Sequence, residues 1–402
     1  MKDSGIEWVG QIPENWKVAK NNRLFQISKS LVGDEWTNTQ LLSLTKNGII
    51  KKGINDGGGK QPESFSTYQY VQANDIVLCL FDIDVSAVFS DRSSFNGMIS
   101  PAYRVMKCEK SILPAYAKWW FDAVNIGRYY LIYTKSLRKT IDSEGFGNIS
   151  TAIPPLLEQQ AIAAYLDSKT AHIDALIDEA RASIDEYKQW KASTIYEAVT
   201  KGLNPDAEMI YSGIDIIGNM PKAWDKRRLK FLCDVMTGNQ DTQNADENGE
   251  YSFYVRSPIV QRANVYTYDG EGILMAGDGA GAGRVFHHAF GKYAIHQRVY
   301  CFHNFRDINT DYFFYFISEL FKKVMDKGSA QSTVPSVRLP MIQDFIFCLP
   351  SEEEQLAIVK YLDSRCGQID ELIAEKESLI VDLEAYKKSL VFEVVTGKRK
   401  VV

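Results

Sequence analysis

The chain has 402 residues, 45% hydrophobic and 24% charged, with a net charge of −5. That composition suits two or three domains with real cores and excludes disorder, and no apolar run approaches the 18 or so residues of a membrane span. Six cysteines at 79, 108, 233, 301, 348 and 366 form no Cys-x-x-Cys pair; with no signal-like apolar N-terminus, reduced, buried thiols in a cytoplasmic protein are expected.

The chain opens on Ser4-Gly5-Ile6-Glu7-Trp8-x-Gly10-x-Ile12-Pro13-x-x-Trp16. A variable region of mixed helix and strand follows. Strands are expected at Asp75 to Phe81 and Ala102 to Met106, each bounded by Gly, Asn, Asp or Ser. An aromatic-rich core helix is expected from Pro114 to Phe121, then a polar, basic loop from Thr134 to Thr140.

From Ile153 to Thr200, apolar residues at Ile162, Leu166, Ile173, Leu176/Ile177, Ala180, Ile184, Tyr187, Trp190, Ile195 and Val199 recur mostly in steps of three and four. One helix of about 43 residues, roughly 65 Å long, with a coiled-coil stripe is expected. Pro154-Pro155 precedes it and Gly202 follows it, as helix punctuation requires.

The pattern then restarts. Ser212-Gly213-Ile214-Asp215-x-x-Gly218-x-Met220-Pro221-x-x-Trp224 echoes the opening motif. The second variable region shows no convincing identity to the first, yet its element order is the same. Strands are expected at Gly272 to Met275 and Gln297 to Phe302, an aromatic helix from Asp311 to Phe321, and a polar loop from Lys327 to Thr333. Finally Leu349 to Thr396 repeats Ile153 to Thr200 without a gap, with 20 of 48 positions identical. The chain is an internal duplication. Each long stripe needs a partner, and the other copy, lying antiparallel across an approximate twofold axis, supplies one.

Net charge is +3 over residues 1–150 and −1 over 201–349, against −4 over 153–200 and −3 over 350–402. The variable regions can therefore present a basic face to nucleic acid although the whole chain is acidic.

Catalytic patterns are missing. Gly277-Asp-Gly-Ala-Gly-Ala-Gly283-Arg284 is a weak match to a dinucleotide loop, because no βαβ unit surrounds it; a tight turn with close backbone approach is expected. There is no phosphate loop of the Gly-x4-Gly-Lys-Ser/Thr kind. His287, His288, His296 and His303 match no zinc spacing. Glu186-x-Lys188 lies on a solvated helix face, and Pro154-Pro155 is not the Pro-Pro of an amino-methyltransferase motif. A binding role is the expectation.

A divergent region followed by Pro-x-x-x-Glu-Gln-x-x-Ile-x-x-Tyr-Leu-Asp…Ile-Asp-x-Leu-Ile, all of it repeated, resembles the DNA specificity subunit of type I restriction-modification systems. The opening motif and the junction Val199-Thr-Lys-Gly-Leu-Asn-Pro205 resemble that family as well. The resemblance covers essentially the whole chain. It implies an α/β (α+β) fold with two target recognition domains, 1–152 and 204–348. Two long antiparallel helices, 153–203 and 349–402, would form a coiled coil that spaces the domains and docks two methyltransferase subunits, through which endonuclease/translocase subunits join.

Each domain would read half of a bipartite site in double-stranded DNA. The subunit would be non-catalytic and hold no cofactor or metal; S-adenosylmethionine, ATP and Mg2+ would sit on partner subunits. The expected DNA contacts are Lys46, Lys51, Lys60, Arg92, Lys135, Arg138 and Lys139 in the first domain, and Arg256, Arg262, Arg284, Gln297, Lys327 and Arg338 in the second, since Arg, Lys and Gln read base edges or hold phosphates. Partner contacts are expected at Glu158, Gln159, Tyr165 and Asp167, and at Glu354, Gln355, Tyr361 and Asp363. The competing readings are a two-headed coiled-coil scaffold that ignores DNA, and a fused methyltransferase or nuclease with an unrecognised site.

Overall fold

The computed structural model describes residues 1–401 except 29, 55, 57–63, 87–88, 135–137 and 329–334, and leaves the side chains of 327 and 328 undescribed. The chain forms two compact units. One consists of Met1–Ala180 with Ser378–Val402, the other of Arg181–Glu377, so each contains the start of one long helix and the end of the other.

Those helices run without a break from Leu156 to Lys201 and from Glu352 to Val395, 46 and 44 residues. At 1.5 Å per residue they are about 69 and 66 Å long, close to the expected length. Both stop at a glycine in the left-handed region, Gly202 at φ +74 and Gly397 at φ +71. Neither glycine has room for a side chain. A Cβ on Gly202 would lie 2.8 Å from Glu354 Oε1 and 3.0 Å from the Trp224 ring, and one on Gly397 would lie 2.4 Å from Pro13 Cδ and 3.1 Å from the Trp16 ring. The opening motif is thus repeated for a packing reason: its Trp closes over the end of a long helix.

In the first unit a mixed sheet has the spatial order Gly48–Lys52, Leu41–Thr45, Gly97–Ile99, Gln69–Val71, and its inner pair is parallel. An antiparallel sheet has the order Phe25–Ile27, Arg104–Cys108, Ile76–Leu78, Ser90–Arg92. Strand Lys17–Lys20 pairs with Ser150–Ile153 and leads directly into the first long helix.

The second unit repeats this plan. Its mixed sheet has the order Gln261–Ala263, Tyr251–Tyr254, Lys292–Ile295, Tyr268–Asp269, again with a parallel inner pair. Its antiparallel sheet has the order Asp234–Thr237, Val299–His303, Gly272–Ala276, Phe286–Ala289, and Asp225–Arg228 pairs with Ile346–Leu349. Two segments without convincing identity share one topology.

The four expected strands all form, but the first is only Ile76–Leu78 and the second runs from Arg104 to Cys108. Asp75 is spent on a turn, its carboxylate accepting from the Gln72 amide at 2.8 Å. The aromatic helices run from Pro114 to Gly127 and from Thr310 to Gly328. Their rings are core: Tyr116, Trp120 and Phe121 in one, Tyr312, Phe313 and Phe316 in the other are fully buried. In the first unit these rings pack with Ile162, Leu166, Ile173 and Ile177 of one long helix and Leu390, Val391, Val394 and Val395 of the other. In the second unit the same construction uses Ala198 and Val199 with Ile358, Val359 and Leu362. The helical stripe is therefore shared between helix seam and domain core, which gives each unit one continuous apolar interior.

Candidate nucleic-acid interface

Within each unit, several loops gather at one end of the sheets. In the first unit Leu44, Thr45 and Lys46, with Cys79, Phe81, Ser86 and Tyr103, line a depression of about 300 Å3. The basic loop after the aromatic helix is pinned there, because Asp82 and Ile83 donate backbone hydrogen bonds to the carbonyls of Arg138 and Lys139 at 3.0 and 3.3 Å. Lys46, Arg138 and Lys139 are exposed on this end. Val85, 76% exposed, adds an apolar tip.

The second unit builds the equivalent end from different residues. The glycine-rich string is a loop between antiparallel strands, Gly272–Ala276 and Phe286–Ala289, and no helix follows it. It lacks the geometry of a dinucleotide site. It is the expected turn of close approach: Gly277 N donates to Arg298 O at 2.8 Å, and a Cβ on Gly281 would lie 2.5 Å from Arg256 O. The loop after the aromatic helix docks as in the first unit, with Gly279 N bonded to Pro335 O and Val337 N to Gly277 O. Asp278 joins the loops by pairing with Arg256 at 3.0 Å and Arg298 at 3.7 Å. Beside them Gln240 and Gln297 are tied backbone to backbone at 2.8 Å, and Gln297 Nε2 donates to Asp241 Oδ2 at 2.7 Å.

The structure brings together Lys46, Arg138 and Lys139 in one unit, and Arg256, Gln297 and Arg338 in the other. Arg284 ends the glycine loop and pairs with Asp326. Others lie apart. Arg92 pairs with Ile76, at the end of its strand remote from the loop after Leu78. Lys51 pairs with Leu42 and lies 4.9 Å from the centre of the Phe95 ring. Arg262 is committed to the carbonyls of Gly249 and Glu250 at 2.9 and 2.8 Å, so its guanidinium holds a loop of its own unit. Lys60, Lys135 and the side chain of Lys327 fall outside the described residues. Sequence reasoning missed Arg298, Asp241 and Gln240, since exposed polar residues in loops carry no periodic signal.

The expected partner motif mostly faces inward. Gln159 is fully buried; its Oε1 accepts from Leu113 N at 2.7 Å and its Nε2 donates to Ser111 O and Pro154 O, both at 2.9 Å. Gln355 repeats this with Asn309 N at 2.8 Å and Pro350 O at 3.1 Å. Glu158 and Glu354 each accept from the indole of the entry-motif tryptophan, Trp16 and Trp224, at 3.0 Å. Asp167 accepts from Trp119 Nε1 at 2.8 Å and Asp363 from the Tyr315 hydroxyl at 2.7 Å. The Glu-Gln pairs thus latch helix to domain, with Gln159 and Gln355 buried and Glu158 and Glu354 half-buried. Tyr165 is half-buried and Tyr361 is 38% exposed.

Burial makes the thiols inert: those of Cys108, Cys301 and Cys348 are pushed up to about 12. Burial also lowers His287 and His296, keeping both imidazoles neutral at pH 7. No group of three potential metal ligands occurs among the described residues, and no described helix is long and apolar enough to cross a membrane.

Residues 221–380 match the family model for the type I restriction modification DNA specificity domain. The chain is 27% identical over 181 residues to the EcoDI specificity subunit of Escherichia coli, which covers 45% of this chain and only 40% of that relative. It is 25% identical over 309 residues to the MjaVIII specificity subunit of Methanocaldococcus jannaschii, covering 68% and 70%. In fold it is similar to a chain of a type I R-M system solved for its assembly and conformational transition, with a TM-score of 0.73 at 13% identity, covering 97% of this chain and all of that one. The HsdS subunit of Thermoanaerobacter tengcongensis matches with a TM-score of 0.53 at 13% identity, covering 99% and 100%. The matched domain and these relatives make the chain similar to type I restriction-modification DNA specificity subunits, and it shares the fold of the solved ones.

Proposed function

We propose that this chain reads a bipartite sequence in double-stranded DNA on behalf of a type I restriction-modification enzyme in the cytoplasm. Each unit's gathered loop end contacts one half-site, and the long helices set the gap between them. What carries the reading is that one topology and one helix latch recur while the loop residues differ completely, as two readers of unlike half-sites require. Arg, Lys and Gln at those ends supply phosphate and base-edge contacts. Helices of about 66 to 69 Å suit half-sites one or more helical turns, roughly 34 Å each, apart.

The chain contributes no catalysis in this scheme. Methyl transfer from S-adenosylmethionine and ATP- and Mg2+-dependent translocation belong to methyltransferase and endonuclease/translocase subunits. Two methyltransferase subunits dock on exposed apolar side chains of the long helices such as Leu157, Trp190, Leu356, Val381 and Tyr386.

Exchange of residues 1–150 for another variable region, followed by sequencing of methylated bases in cells carrying the partner genes, tests the reading. One half of the methylated sequence should change and the other persist. An unchanged methylation pattern would refute it.

A further inference from the structure

We infer that Gln297 is a specificity-determining residue of the second unit and that it selects adenine at one position of that unit's half-site. The inference rests on the DNA-reading function proposed above. An adenine in the major groove offers N7 as acceptor and N6 as donor, and a glutamine amide meets both at once, donating through Nε2 and accepting through Oε1.

Gln297 is exposed at the gathered loop end, but its backbone is rigidly held. The preceding residue, His296, is 2% exposed and donates its amide to Tyr254 O at 3.0 Å. Gln297 N donates to Gln240 O at 2.8 Å, and the following strand begins at Val299. The side chain is oriented as well, since Asp241 Oδ2 lies 2.7 Å from Nε2. A carboxylate tolerates only the donor end of the amide, so this contact fixes which way the group faces. One Nε2 proton is used. The second proton and Oε1 remain as a matched donor and acceptor, the complement of the adenine edge.

Charge at the rim fits a duplex. Arg256 and Arg298 share the carboxylate of Asp278, and although Asp278 and Asp241 together balance their charge, two guanidiniums beside the amide are donors suited to phosphate oxygens. Asp241 is in turn held by its place before a short helical turn, accepting from Gln243 N at 3.4 Å. Asp241 is thus a positioning residue and Gln297 the reading one.

The test selects bound sequences from a pool of randomised duplexes with the full wild-type chain, Gln297→Ala and Asp241→Ala, and compares base preference position by position. Gln297→Ala should lose adenine preference at one position by roughly five- to a hundredfold, the discrimination expected of one bidentate contact. Other positions should be unchanged. Asp241→Ala should relax the same position to a smaller degree, which an unrelated structural role would not do. Gln297 is exposed and Asp241 half-buried, and unfolding temperatures measured for both variants separate a lost reading contact from misfolding. Unchanged preference in Gln297→Ala, or equal weakening on every sequence, would overturn the assignment while the DNA-reading function stood. A wild-type chain with no sequence preference would overturn that function and this assignment together.

Discussion

Lys191 Nζ lies 2.7 Å from both carboxylate oxygens of Asp370. Shifted by the repeat length, Lys387 makes the same bidentate contact to Asp174 at 2.5 and 2.7 Å. Each pair ties the two long helices within one unit. Their partners run in opposite directions along the chain, as Tyr165 beside Arg399 also requires. The antiparallel register expected from the duplication is therefore written in four residues that are identical between the copies.

These pairs are about half exposed at the carboxylate, so their worth is small. Asp370→Asn or Asp174→Asn should each lower stability by ~0.2–1 kcal/mol in dilute buffer. In 1 M salt, where the screening length falls to about 3 Å, most of that difference should vanish. Urea unfolding at two salt concentrations measures it.

Gly397→Ala should be far more damaging than a surface change. The new Cβ meets Pro13 and Trp16 on a backbone at positive φ, so a loss of about 2–4 kcal/mol is expected from strain and overpacking together. Gly202→Ala should behave alike against Trp224 and Glu354. Denaturation midpoints would show whether both exceed the cost of a Gly→Ala change at Gly367, which lies in the middle of the second long helix with open space around it. There the same change should be stabilising by up to about 1 kcal/mol.

Gln159→Leu removes three hydrogen bonds and strands the amide of Leu113 and the carbonyl of Ser111. A buried unsatisfied group costs about 1–3 kcal/mol, so a loss of roughly 2–5 kcal/mol is expected. If Gln159 were instead a partner contact, Gln159→Leu would leave the stability of the isolated chain unchanged. Thermal unfolding of the free chain separates the two.

Acidification should destabilise the second unit. His287 and His296 are held below their ordinary value by burial, so the unfolded chain binds more protons between the unfolded value near 6.5 and the lowered folded values. Stability is full above about pH 6.5 and falls as pH drops through that window. The slope of stability against pH between 7 and 5 should flatten in His287→Asn, read by urea titrations at each pH.

The two long helices, their ends and the order of elements in each variable region were legible in the sequence because they obey local rules. A stripe at steps of three and four requires a helix, and a glycine after it marks its end. Gln159 shows where that reading stops. Its place four residues after a proline pair, on a polar stretch, looks like surface, and only the return of residues 111–113 to the start of the helix turns it into a buried latch. Arg262 is similar, a loop cation in sequence whose guanidinium folds onto two carbonyls.

The duplication, the two long helices and the resemblance to a known family were thus determined by sequence alone, since repeats and periodicity are properties of a line of residues. Tertiary structure decided which polar groups face inward, that unlike variable regions share one topology, and that loops as distant as Gln240, Arg256, Asp278, Gln297 and Arg338 meet at one end of the second unit. Those outcomes depend on strand pairing between residues far apart in the chain, and hydrogen-bond partners chosen across such distances leave no trace in local composition.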